Sequence, residues 1–259
     1  MEPRRLPLVL GLLAALCVLA SSLAGVLTDS AYARETVAWK AQAQGQDWAN
    51  LLLVVPALLI SSALVARGSS TALHIWRGLL LYVVYSYLLY AFFIHFNRWF
   101  LFYVGALGLA FYGLAASISV HTVPLPAPLP RARFAQAVLT GSALLFALMW
   151  LSQIVPAALT GGVPGGLEDV GLVVNPVHVL DLALVLPAML IAARLLRKGR
   201  PSGHLLAPPI LVFAVVMGIA IEFMFYFQAG NGVEIVMSAA IVMGLIVVLS
   251  AVALLSLIG

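Results

Sequence analysis

An all-α, polytopic integral membrane bundle of about eight transmembrane helices is the fold class this sequence predicts, and three observations predict it. The chain has 259 residues, of which 64% are hydrophobic and only 8% charged, whereas a soluble domain of this length needs far more charge to cover its surface. Its mean hydropathy is +1.13. Apolar runs of about 20 residues, the length that crosses a bilayer, recur along nearly the whole chain.

The spans fall at roughly 7–27, 48–66, 72–94, 99–119, 135–158, 174–195, 206–228 and 233–257. Arg4 and Arg5 precede the first, and Ala31-Tyr32-Ala33 follows it, which is the outline of a signal peptide. Its apolar core exceeds the usual ~7–15 residues, so an uncleaved anchor is expected. Residues 28–46 are expected to form a loop with a small interfacial helix around Trp39 and Lys40. In the third span, "YVVYSYLLY" (82–90) places Tyr82 and Tyr85 with Leu89 on one side and Tyr87 with Tyr90 on another, as core or interfacial aromatics. The loop 120–134, containing "VPLPAPLPRAR", is expected to be extended by its prolines. Residues 159–173 form a glycine-rich loop carrying Glu168 and Asp169. No soluble domain is visible, so residues 1–259 read as one membrane domain.

Basic residues orient the chain. With the N-terminus inside, Arg4, Arg5, Arg67, Arg131, Arg133, Arg194, Arg197, Lys198 and Arg200 are cytoplasmic, while Arg34, Lys40 and Arg98 fall outside. The positive-inside rule then puts both termini in the cytoplasm of a cell in whose inner (plasma) membrane the bundle sits. These loops account for the net charge of +4 without a nucleic-acid partner. A single cysteine, Cys17, excludes an intrachain disulfide and any CxxC redox or zinc site.

An internal repeat is expected. "LLLVVPALLI" at 51–60 aligns with "LALVLPAMLI" at 182–191, an offset of 131 residues, and the match runs on to Gly68 over Gly199. Leucines and valines coincide easily in apolar helices. A proline and a glycine twelve residues apart in both copies carry more weight. The offset lays spans one to four on five to eight, giving two parallel four-helix repeats, 1–119 and 135–257, related by an axis along the membrane normal.

The candidate site begins at "NPVHVLD" (175–181), where His178 and Asp181 share one helical face. The same offset aligns Asp47 with His178 and Asn50 with Asp181. At about 1.5 Å per residue, His178 lies about 6 Å below the outer end of its span, Asp181 about 10 Å, Glu222 about 9 Å and Gln153 about 7 Å. Ionisable groups at membrane depth cost several kcal/mol and should face the bundle interior. His178, Asp181, Glu222, Asn175, Gln153, Asn50 and Asp47 are therefore the expected ligand-binding set. Glu222 is expected to share a stripe with Gly218 and Tyr226, converging on His178 and Asp181.

Other chemistries fit less well. His178, Asp181 and Glu222 could supply metal ligands, with His95 as a fourth, but no HExxH or HxxxH motif is present. No histidine pair sits at ligand spacing for haem. Lys40 and Lys198 lie in loops, which excludes a retinal pigment, and the serine pairs have no companion base. The segments "WRGLLLYVVYSYLLYAFFIHFNRWFLFYVG" (76–105) and "NPVHVLDLALVLPA" (175–188) resemble a family of small multispan bacterial membrane proteins. The resemblance implies the membrane class and brings no activity with it. The function expected is an outward-facing polar cavity binding a small solute or ion, as a transporter would. The alternatives are a membrane-embedded metal-dependent enzyme and a structural or sensory membrane subunit.

Overall fold

The computed structural model describes residues 5–120 and 129–258. Arg4, His121 and most of the proline-rich loop lie outside the described residues. Eight helices are long and apolar enough to cross a membrane, and the described residues contain no strand. They are α1 (Arg5–Leu27), α2 (Val37–Ala66), α3 (Ser70–Phe93), α4 (Phe100–Ser117), α5 (Leu129–Thr160), α6 (Pro176–Arg197), α7 (Pro201–Gly230) and α8 (Met237–Ile258). The protein is a multi-pass, all-α membrane bundle.

Several helices start earlier than hydropathy alone indicates, α2 by the most. Thr36 caps α2 by accepting a bond from the Trp39 amide at 3.2 Å, so 37–49 joins the span instead of forming a separate interfacial helix. Polar Gln46, Asp47 and Asn50 are buried there against other helices, which tertiary packing permits and a hydropathy window does not see. α5 likewise begins at Leu129, before the expected 135. The glycine-rich 159–173 loop contains one short helical turn, Leu167–Val170.

α2 and α6 share a local irregularity. Each contains a π turn, Asn50–Val54 and Asp181–Val185, in which the Val55 amide bonds the Asn50 carbonyl and the Leu186 amide bonds the Asp181 carbonyl. A proline follows each turn, Pro56 and Pro187. Proline has no N–H and its ring crowds the carbonyl four residues back, and the wider turn relieves both. Both helices also stop in the same way. Gly68 (φ 95°) and Gly199 (φ 62°) adopt the left-handed conformation. Their amides reach the carbonyls of Val65 and Leu196, and the next amides, of Ser69 and Arg200, reach Leu64 and Leu195. That paired pattern needs a residue with positive φ at the first position, hence glycine.

The helices form two rings of four. In the first, α1 and α3 each pack on both α2 and α4; in the second, α5 and α7 each pack on both α6 and α8. The rings join where α7 packs on α2 and α3. Gly45 permits this contact, because a Cβ there would lie 2.6 Å from the Met224 Cα in the α7 backbone. By contrast, α6 approaches α3 mainly near its start. The two ring-to-ring contacts are unequal, and the looser one borders the main cavity.

Candidate functional site

Polar groups concentrate in two places. The first is a buried network inside the α1–α4 ring, which meets the cavity at Tyr90. Asp47 is fully buried and accepts bonds from the Tyr32 hydroxyl and, at 3.1 Å, from Tyr90. Asn50, also fully buried, donates to Ser22 Oγ at 3.0 Å and accepts from the Tyr82 hydroxyl at 3.0 Å. Tyr87 stacks on Tyr90 with ring centroids 5.2 Å apart and shares a 2.7 Å bond with Ser21. Lipid provides no hydrogen bonds, so groups at this depth must be satisfied by one another. Tyr32, in the loop before α2, has its pKa raised well above the usual 10 by burial and by the neighbouring Asp47 carboxylate.

The second place is a cavity of about 740 Å³ among α2, α3, α5, α6, α7 and α8, within the range of ligand cavities. It occupies the half of the bundle nearest loop 94–99. Trp39, Ile94 and Val236 line it close to the ends of their helices, and Phe213 and Met189 line it near mid-helix. Among the described residues Asp181 is the one charged side chain on its wall. The Tyr85 hydroxyl donates to Asp181 Oδ1 at 3.0 Å, and Trp150 Nε1 donates to Oδ2 at 2.9 Å. These bonds tie α6 to both α3 and α5. Most of the remaining wall is apolar, from Phe146, Met217 and Ile246 among others, so the cavity is not the polar chamber expected.

The asymmetry between the rings has a local cause. α3 and α7 begin 131 residues apart, at Ser70 and Pro201. At that offset Tyr82, Tyr87 and Tyr90 correspond to Phe213, Gly218 and Ile221. Tyr82 and Tyr87 are fully buried in the first ring, and Tyr90 lies between that ring and the cavity. Phe213, Gly218 and Ile221 all line the cavity in the second.

Of the seven expected ligand-binding residues, Asp181 alone lines this cavity. His178 stands behind Trp150, its ring 4.5 Å from the indole and its Nε2 3.3 Å from Asn175 Nδ2. Asn175 caps α6 by accepting from the Val177 amide at 3.0 Å. Asp47 and Asn50 belong to the buried network and do not reach across to His178 and Asp181. Gln153 is exposed on the outside of α5. Glu222 turns toward α8, where a Cβ on Gly244 would lie 3.7 Å from its Oε1; it does not line the cavity, and Tyr226 is 75% exposed instead of sharing an inward stripe. Helix rotation, which hydropathy does not fix, accounts for these differences.

Among the described residues no group of three or more His, Cys, Asp or Glu side chains could hold a metal ion. His178, Asp181 and Glu222 therefore do not form the ligand set considered from the sequence. Tyr85 and Trp150 are the site residues that sequence reasoning missed. Their signal was depth: each is an aromatic donor within a turn or two of the layer that holds Asp181.

These features define a class, a helical membrane protein with an intramembrane cavity carrying one oriented carboxylate. No protein-family model, curated protein or solved structure matches the chain.

Proposed function

We propose that the protein binds a small solute in the cavity of its second ring and works as a membrane transporter. The observation that carries this reading is Asp181, held by Tyr85 and Trp150 from two other helices on the wall of an otherwise mainly apolar chamber. Placing one carboxylate at membrane depth is costly, and holding it with two donors at a cavity wall gives that cost a purpose. A purely structural subunit has no need of the chamber.

The chain is in this reading a parallel duplication of a four-helix unit. Matching π turns, matching glycine-closed helix ends and the same packing order within each ring support it. One unit was closed by tyrosines and the other kept its opening. Substrate sites at repeat interfaces are common in duplicated transporters, and this cavity borders the ring junction. The basic loops support cytoplasmic termini and an inner (plasma) membrane location, with the cavity in the outer half.

The test is saturable binding of an apolar fluorophore, N-phenyl-1-naphthylamine, to protein in lipid nanodiscs. Wild-type protein binds it above the background of empty nanodiscs. Ala214→Phe, which fills space at the cavity wall, weakens binding while the protein still elutes as a folded species. Equal binding by both, or none by either, refutes the reading.

A further inference from the structure

The cavity opens sideways. At the end of the bundle near Arg67 and Lys198, α5 and α8 pack closely, Ala135, Leu139 and Ala143 sharing a core with Ala253 and Leu257. Toward the opposite end both helices line the cavity. There Leu145 and Leu148 of α5, Val236 just before α8, and Ala239 and Val242 of α8 line the cavity and are exposed. Leu148 is 69% exposed and Val236 67%. The corresponding pair in the first ring, α1 and α4, stays closed over this stretch: a Cβ on Gly105 would touch Cys17 Sγ at 3.1 Å, and one on Gly113 would touch Leu10 at 3.4 Å. The rim of the opening is apolar apart from Ser238 and borders membrane-spanning segments, so it faces acyl chains. An aqueous solute would meet lipid there.

The polar end of the chamber specifies a partner. A carboxylate has about four acceptor positions, and each oxygen of Asp181 is occupied by one donor. Acceptor capacity remains on both oxygens, with no cationic side chain on the cavity wall to use it. The group that completes the site is a donor, and a positive one gains most from the low dielectric.

Building on the cavity-binding reading, we propose that the ligand is a single-chain amphiphile dissolved in the bilayer, with a hydrogen-bond-donating head such as a primary amine. It passes between α5 and α8, sets its head against Asp181 and lays its chain along the apolar wall. No bond is made or broken.

The experiment compares dodecylamine with dodecanoate, chains of equal length, as competitors for the bound fluorophore in nanodiscs. Wild-type protein is expected to release the fluorophore at about tenfold lower concentration of the amine, a preference of about 1.4 kcal/mol. In Asp181→Asn the two competitors come within about threefold of each other, each displacement being referred to that variant's own fluorophore affinity, because the isostere keeps the shape and loses the charge. Ala239→Trp narrows the rim at an exposed position and slows uptake of the fluorophore from preloaded vesicles by about fivefold or more, an effect set by steric access. Equal displacement by the two chains, a preference that survives in Asp181→Asn, or an unchanged uptake rate in Ala239→Trp overturns the inference. Absence of any saturable fluorophore binding overturns the cavity-binding reading with it.

Discussion

Tyr85 on α3 donates its hydroxyl to Asp181 on α6 at 3.0 Å, across the looser of the two contacts between the rings. This bond ties the closed half of the molecule to the carboxylate of the open half. Tyr85→Phe removes it while leaving the ring that packs edge-on against Phe213. Interhelical hydrogen bonds in membranes average about 0.6 kcal/mol and reach about 1.7, so a stability loss in that range is expected. Unfolding in mixed micelles measures it; no loss would mean that Trp150 alone orients the carboxylate.

Asp47 is the more costly carboxylate to remove. Asp47→Ala strands the buried hydroxyl of Tyr32, at about 1–3 kcal/mol, while Tyr90 keeps the Ala43 carbonyl as an acceptor at 3.0 Å. The expected loss is about 1–3 kcal/mol, above that of Asp181→Asn, read in the same unfolding assay. A smaller loss for Asp47→Ala would show that the network is not satisfied as described.

Alkaline pH tests the same network. Burial, with the Asp47 carboxylate second, raises the Tyr32 pKa well above 10. The unfolded chain releases the Tyr32 proton near pH 10, while the folded protein keeps it. Its contribution to stability is therefore fully present below pH 10 and declines above it, by about 1.4 kcal/mol per pH unit per proton. Tyr32→Phe should flatten the alkaline slope by up to that amount. An unchanged slope would mean that Tyr32 ionises as freely folded as unfolded.

Two glycines separate packing from helix propensity. A Cβ on Gly218 would overlap Val247 of α8, whereas one on Gly141 meets nothing within 4 Å. Gly218→Ala should cost about 1–3 kcal/mol by forcing α7 and α8 apart. Gly141→Ala should be neutral or slightly stabilising, since alanine is the better helix former. Equal effects would place the α7–α8 contact elsewhere.

Topology is checked by labelling. In a Cys17→Ser background, Lys198→Cys should resist an impermeant maleimide on intact cells and react after permeabilisation. Arg98→Cys should react at once. The reverse pattern would invert the bundle and move the cavity to the inner half of the membrane.

The sequence by itself determined the membrane class, the eight spans and the two proline-marked helices. Each of these follows from near neighbours along the chain: apolar length fixes a span, and Pro56 with Gly68 fixes a widened turn and a helix stop by local sterics. Asp181 was also legible, because a carboxylate at that depth requires partners wherever it points. The partners were not legible. Tyr85 lies 96 residues from Asp181 along the chain and Trp150 lies 31 away, and only helix rotation and ring packing bring their hydrogens to its two oxygens. The same freedom turned Glu222 toward Gly244, left Gln153 outside and closed Asp47 into its own network. Tertiary structure alone decided that one ring is filled and the other open, because that depends on whether Tyr87 or Gly218 occupies the space between helices the sequence does not place side by side.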